Sequence, residues 1–280
     1  RVYQHAAAVV RQSVVEKARR QQDWKALTVT VLLLDLGNTA LKWAPLGDDE
    51  EPRTFVHCGA DALPEKIFNE WLACAPERVI GCMVSSENLA LTLTKFFNQH
   101  RISWEWMHSQ PLFKGPFTLR NGYDDFNQLG SDRWYAAIGA ASLYPGRALV
   151  VVHIGTATTV DAVLPGADGL EFKGGRILPG PAMMYRSLVK NTRCRPGGIG
   201  SPAEFPSNTT DAISSGILEA HLGVIDRAMA SVRRAGFEGK LIFAGGAAPL
   251  LAPYIEREFP GSVLKHNLVL RGLAMFAAHS

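Results

Sequence analysis

The stretch Leu32-Leu33-Leu34-Asp35-Leu36-Gly37-Asn38-Thr39-Ala40-Leu41-Lys42-Trp43 decides the fold of this chain. It reads as an apolar strand ending in an acid, a tight turn of small polar residues, and a second strand that starts at once. Such a turn presents backbone N–H groups and the Asn38 and Thr39 side chains to an anion, with Lys42 near enough to add charge. The pattern returns as Val150-Val151-Val152-His153-Ile154-Gly155-Thr156-Ala157-Thr158-Thr159-Val160-Asp161, and Gly37 and Gly155 lie 118 positions apart (155 − 37). Two phosphate-type hairpins, one per half, point to a duplicated lobe clasping a nucleotide.

The composition fits that reading. A chain of 280 residues with 47% hydrophobic and 20% charged residues buries a substantial core as one large domain or two lobes. The cysteines Cys58, Cys74, Cys82 and Cys194 form no C-x-x-C and no zinc spacing, which suits a reduced, cytoplasmic setting. The longest mainly apolar runs, 29–34 and 148–152, fall far short of the roughly 20 residues that span a bilayer, so no membrane partner is expected. The net charge of +3 is concentrated near the start. Residues 1–25 hold six basic and two acidic residues, a balance of +4 that leaves about −1 for the rest (3 − 4). A nucleic-acid partner is not expected on a chain without a general basic field.

Along the chain, residues 1–29 read as an N-terminal extension with one helix over about 8–26. Residues 30–145 read as an N-terminal lobe with the first hairpin and a substrate loop, and 146–280 as a C-terminal lobe with the second hairpin and the adenosine side. Strands are expected at 30–36, 40–46, 53–58, 78–84 and 102–107, with helices near 61–73 and from 88 to 100. A long loop over 109–127 precedes a helix at 131–143, which stops at Tyr144-Pro145-Gly146, the expected hinge. Strands at 148–154, 158–164 and 171–177 repeat the opening meander, and 240–244 adds another. Helices are expected at 181–190, 209–235, after Gly245-Gly246, and at 267–278. Matching three-strand openings imply a duplicated α/β fold, not a Rossmann or P-loop unit.

The P-loop, G-x-G-x-x-G, H-E-x-x-H and G-x-S-x-G patterns are all absent. Each remaining candidate has a chemical and a plain reading. Asp35 could hold a hydrated Mg²⁺ beside phosphates, or Gly37 could serve a turn alone. The threonines after Gly155 could line a phosphate or form a cross-strand ladder. In Gly130-Ser131-Asp132-Arg133, either Ser131 or Asp132 could cap the helix with Arg133 on its surface; alternatively Asp132 takes a proton from a substrate hydroxyl while Arg133 pairs with substrate anions. The run from Gly174 to Pro181 is a sharp turn or a substrate wall. Thr209 could be no more than a helix cap. Gly245-Gly246 leaves room for a flat ring or allows a close helix–strand contact.

Taken in order, these segments resemble the type III pantothenate kinase family, whose members include proteins described as Bvg accessory factor. The resemblance rests on D-x-G-N-T-x-x-K-W at 35–43, G-Y at 122–123, G-x-D-R at 130–133 and G-T-A-T-T-x-D at 155–161. It is completed by G-G-x-I-x-P-G at 174–180, N-T-x-x-A-I-x-x-G at 208–216, Gly245-Gly246 and L-x-L-x-G-L at 268–273. The resemblance implies the acetate/sugar kinase–Hsp70–actin (ribonuclease H-like) fold, a homodimer, and transfer of the ATP γ-phosphate, with Mg²⁺, to pantothenate at the entry to coenzyme A synthesis. It also implies that Asp35, Leu36, Gly37, Asn38, Thr39, Ala40, Leu41, Lys42 and Thr156 face the nucleotide. Tyr123, Gly130, Ser131, Arg133 and Thr209 would contact pantothenate, and Asp132 would be the general base.

Two positions depart from the family pattern. His153 stands where the family usually has an Asp that helps hold a monovalent cation (K⁺ or NH₄⁺), and an imidazole is a poor ligand for such a cation. It is read either as a buried, hydrogen-bonded histidine or as a protonated one that brings its own positive charge. Phe126 replaces a more usual proline in the loop after Tyr123. The alternative function is a regulatory accessory protein that keeps the fold with little or no kinase activity.

Overall fold

The computed structural model describes residues 30–48, 51–193 and 196–279; the extension expected over 1–29 lies outside them. The chain opens with β1 (Val31–Leu36), β2 (Ala40–Pro45), β3 (Arg53–Val56), α1 (Glu65–Ala73), β4 (Arg78–Met83), α2 (Glu87–Gln99) and β5 (Ser103–Met107). Its second half runs through β8 (Leu149–Ile154), β9 (Ala157–Gly166), β10 (Gly169–Pro179), α4 (Pro181–Asn191), α5 (Thr209–Arg234), β11 (Lys240–Ala244), α6 (Ala248–Glu258) and β12 (Val263–Leu264). Between these halves come β6 (Leu112–Lys114), β7 (Thr118–Asn121) and α3 (Ser131–Leu143), and α7 (Leu268–Ala277) closes the fold.

The first sheet has the order β3-β2-β1-β4-β5, and the second contains β10-β9-β8-β11-β12 in the same arrangement. Pairing repeats as well as order. In each half the first three strands form an antiparallel meander, and the last two add in parallel through helical crossovers. The chain therefore adopts the duplicated acetate/sugar kinase–Hsp70–actin fold. Central strands β1 and β8 are apolar almost throughout because helices cover both faces: the outer helices of each half on one side, and α3 and α7 between the sheets on the other.

The loop expected over 109–127 carries more structure than its Gly and Pro content suggests. β6 and β7 form a hairpin there, and β7 pairs in parallel with β10, so this segment extends the second sheet although it precedes α3. A short 3-10 turn, Phe126–Gln128, follows it. α1 starts at Glu65, later than expected; Asp61 instead accepts hydrogen bonds from Ser86 and Asn88 at the start of α2. Ser86 caps α2 and Asn208 caps α5, each accepting a backbone N–H through its side-chain oxygen. Among the described residues no helix is long and apolar enough to cross a membrane.

Helix α3 lies in the middle of one shared core, with Trp134, Tyr135, Ala137, Ile138, Ala140 and Ala141 fully buried. That core joins β1 and β4 of the first sheet to β8, β9 and β10 of the second, with α7 alongside α3. Small residues make this possible. An added Cβ at Gly139 would collide with the Leu268 carbonyl, and one at Gly272 with the Tyr135 carbonyl, so the two helices touch backbone to backbone. Gly272→Ala should therefore destabilise the protein by about 2–3 kcal/mol through overpacking against atoms that cannot rotate away. Gly223→Ala, on α5 with open space around it, should instead stabilise by about 0.5–1 kcal/mol. Thermal melts of the two variants check both signs.

Candidate active site

The two hairpins converge. The β1–β2 turn closes through Gly37 N–H donating to the Ala40 carbonyl (3.0 Å), and the β8–β9 turn through Gly155 N–H donating to the Ala157 carbonyl (3.0 Å). Their tips meet across the two halves, where the Thr39 and Thr156 hydroxyls hydrogen-bond at 2.6 Å. Leu36 and Leu41 are wholly buried, so any contact they make with a ligand runs through the backbone. Asn38 is exposed at the apex, Thr39 and Ala40 are half-buried, and Lys42 points its charge back toward Asp35 and His153.

Beneath the hairpins sits a cluster of acids, Asp35 and Asp161 buried and Asp132 half-buried. Asp35 ends β1 beside Cys82 of β4 and Lys42 of β2. Burial pushes its carboxyl up to about 6, opposed by Lys42 and assisted by the negative field of Asp132. Asp132 lies in the first turn of α3, where the helix dipole favours a carboxylate. Its Oδ1 accepts the Arg133 backbone N–H at 2.8 Å, and Gly130 stands so close that an added Cβ would lie 2.6 Å from the same oxygen. Burial raises the Asp132 carboxyl, with the Arg133 N–H and guanidinium pulling the other way. Ser131 hydrogen-bonds the Cys82 thiol, whose ionisation burial and the two nearby carboxyls suppress.

Arg133 is neither a surface residue nor a free cation. Its guanidinium is buried, and Nε and Nη2 both donate to the Asp161 carboxylate, Nε at 3.1 and 3.2 Å. Nη1 donates to the Tyr123 hydroxyl at 2.9 Å, and the group lies 5.7 Å from the centres of both the Tyr123 and Phe172 rings. Burial carries the Asp161 carboxyl up to about 6, against the pull of Arg133. Gly175 on β10 makes room for this pair, since a Cβ there would overlap Asp161. Asp161 and Phe172 were not singled out from sequence. Asp161 closes the G-T-A-T-T-x-D pattern and was the readable signal; Phe172 had none, because only strand pairing brings β10 beside Tyr123.

His153 occupies in β8 the place that Asp35 occupies in β1. Burial and the neighbouring Lys42 lower it to about 4, so it is neutral at neutral pH and brings no positive charge, contrary to the protonated reading. Thr209 comes from the second half of the chain. It opens α5 and helps line a groove of about 560 Å³ with Pro179, Met184, Leu188 and Ile213, none of which belongs to the acid cluster. Its capping role falls to Asn208. Gly245 takes a left-handed φ of 107° and packs on the Ile154 backbone, which accounts for that glycine by close contact, while Gly246 has open space.

Comparison with known proteins agrees with this architecture. A family model described as type III pantothenate kinase matches residues 31–231. A type III pantothenate kinase of Herminiimonas arsenicoxydans is 39% identical over 262 residues, covering 89% of this chain and 98% of the relative. One of Bordetella bronchiseptica is 34% identical over 267 residues, covering 89% and 98%. Among solved structures, a Campylobacter jejuni protein described as a Baf family transcriptional activator superposes with a TM-score of 0.54 at 22% identity, covering 86% of this chain and 94% of its own. That likeness speaks for the fold alone. With the family model spanning both hairpins and the acid cluster, the chain belongs to the type III pantothenate kinase family.

Proposed function

We propose a division of labour among these residues for the reaction of the family. The chain is a kinase that transfers the γ-phosphoryl group of ATP to the primary hydroxyl of pantothenate, the first step of coenzyme A biosynthesis. The observation that carries the residue assignments is the 2.6 Å contact between Thr39 and Thr156 above the Asp35–Asp132 pair. It brings both phosphate hairpins and a half-buried base to one point. In phosphoryl transfer, positioning and charge neutralisation do most of the catalytic work, and this arrangement supplies both.

Asp132 is the general base: its raised carboxyl accepts the hydroxyl proton as the oxygen attacks, and burial moves its affinity toward working pH. The backbone of residues 36–41, with Thr39, Lys42 and Thr156, holds the phosphates. Tyr123, Gly130, Ser131 and Arg133 contact pantothenate, with Thr209 a further contact on the resemblance. Since Asp161 already offsets the charge of Arg133, Arg133 acts on the substrate through its remaining N–H donors and their fixed direction more than through net charge.

A divalent cation fits this site. Among the described residues, Lys42 and Arg133 are the cations that act on Asp35, Asp132 and Asp161, so a polyphosphate entering here needs further positive charge. Asp35 offers oxygen ligands of the kind Mg²⁺ takes, and among the described residues no cluster of three acidic, His or Cys ligands would hold a metal without the nucleotide. Mg²⁺, when bound, would neutralise charge on the β- and γ-phosphates. A monovalent cation does not fit at His153: the neutral imidazole presents nitrogen, and Lys42 already faces it.

Homodimerisation, implied by the resemblance, is supported by α4, which buries none of its residues, and by exposed Ile177, Met183, Leu188, Ile199 and Phe205 around it. A cytoplasmic setting suits a small-molecule biosynthetic enzyme. Nothing in the comparisons or the fold favours the accessory-protein alternative.

Asp132→Asn should lower turnover by about 10²–10⁴-fold in a pantothenate-dependent ADP-release assay, and near-wild-type rates would remove Asp132 from the role of base. Turnover should change less than about 2-fold between K⁺ and K⁺-free buffer, while His153→Asp should acquire a K⁺ requirement. A steep K⁺ dependence of the native enzyme would contradict the His153 argument. Light scattering should return twice the chain mass of 30.5 kDa, and a monomer across micromolar concentrations would count against the dimer.

A further inference from the structure

Both hairpins are braced from behind by the end of the third strand in their own half, but the two braces differ. In the second half Gly180 N–H, just beyond β10, donates to the Thr156 carbonyl at 2.9 Å, and its missing side chain lets it lie flat against the Gly155 carbonyl. In the first half the chain just beyond β3 does the same job with a side chain. His57 N–H and Cys58 N–H both donate to the Thr39 carbonyl, at 2.9 and 3.0 Å. The His57 ring, 5% exposed, then reaches back so that Nε2 lies 2.9 Å from the Gly37 carbonyl.

The tautomer follows from the other ring nitrogen. Gly59 N–H points at Nδ1 at 3.1 Å, so Nδ1 is an acceptor and Nε2 must carry the hydrogen that goes to Gly37. Left-handed φ values at Cys58 (52°) and Gly59 (84°) turn the chain back onto its own imidazole and lock the ring. A trans peptide points its C=O and N–H in opposite directions. With the Gly37 carbonyl tied back toward His57, the Asn38 N–H of the same peptide points the opposite way, away from the segment beyond β3.

We propose that His57 is a positioning residue for nucleotide phosphate: it fixes the Gly37–Asn38 peptide so that the Asn38 N–H is presented to the anion. This rests on the reading of the first hairpin as a phosphate cradle. His57 touches no substrate itself. It prepays the ordering of a peptide that would otherwise rotate when the anion arrives.

Three variants separate the two ring contacts. His57→Asn keeps an acceptor for Gly59 but is too short for Gly37; His57→Gln reaches toward Gly37 with an amide N–H; His57→Phe keeps the ring volume and loses both bonds. In steady-state assays with direct titration of Mg²⁺-ATP, His57→Asn and His57→Phe should weaken ATP binding and raise its KM about tenfold, the effect of one ordinary hydrogen bond. The pantothenate KM should stay within about 2-fold, and His57→Gln should recover most of the loss. ATP affinity unchanged in His57→Asn, with the native enzyme binding ATP normally, would overturn the role of His57 alone. Equal losses in all three variants, tracking their melting temperatures, would reduce His57 to a packing residue. Failure of the native protein to bind Mg²⁺-ATP would overturn the phosphate reading of the hairpin and this proposal with it.

Discussion

The backbone contact between α3 and α7, made at Gly139 and Gly272, sets the spacing on which the rest of the molecule depends. Both helices lie between the sheets, so their separation governs how close β1 comes to β8. The hairpins at the ends of those strands reach each other only if that layer is thin. With glycine at the crossing they meet, and Thr39 and Thr156 come within hydrogen-bonding distance. Glycine is entropically costly within a helix. Here the cost is offset by burial of α3 on nearly all sides.

The same layer carries the residues proposed for the chemistry. α3 begins at Gly130, so its first turn projects Asp132 toward Asp35 and lets Arg133 turn under β9 to Asp161. A helix buried between two sheets leaves little water at its N-terminus, and that raises all three carboxyls. Carboxylates whose charge burial penalises are unfavourable without a ligand and suited to one that brings cationic charge. The pair of threonine hydroxyls above them is a contact that an anion can replace with its own oxygens.

Duplication gives the frame, and the departures from symmetry give it direction. The strand pattern repeats down to parallel and antiparallel pairing, yet Asp35 in one half is His153 in the other. One negative charge is lost beside Lys42, and the remaining acids gather on the side of Asp132 and Arg133. Among the described residues, the exposed α4 and the groove it shares with Thr209 have no counterpart in the first half, where the short α1 buries Ile67 and Trp71 against its own sheet.

The local pattern of residues 32–43 and its echo at 150–161 was enough to state the fold, because a strand–glycine turn–strand unit is built from neighbours and needs nothing distant to be recognised. The acid of the first hairpin and the Gly130–Arg133 turn were legible for the same reason. Other features depend on residues far apart in the chain. Gly and Pro concealed the β6–β7 hairpin, which joins the second sheet only through the pairing of β7 with β10, about fifty residues later. Whether Arg133 faces solvent or Asp161, and whether His153 is charged, depend on burial and on approach across the two sheets. Sequence determined which groups were available; tertiary packing decided their partners and their charge, because desolvation and Coulomb fields are properties of the assembled interior.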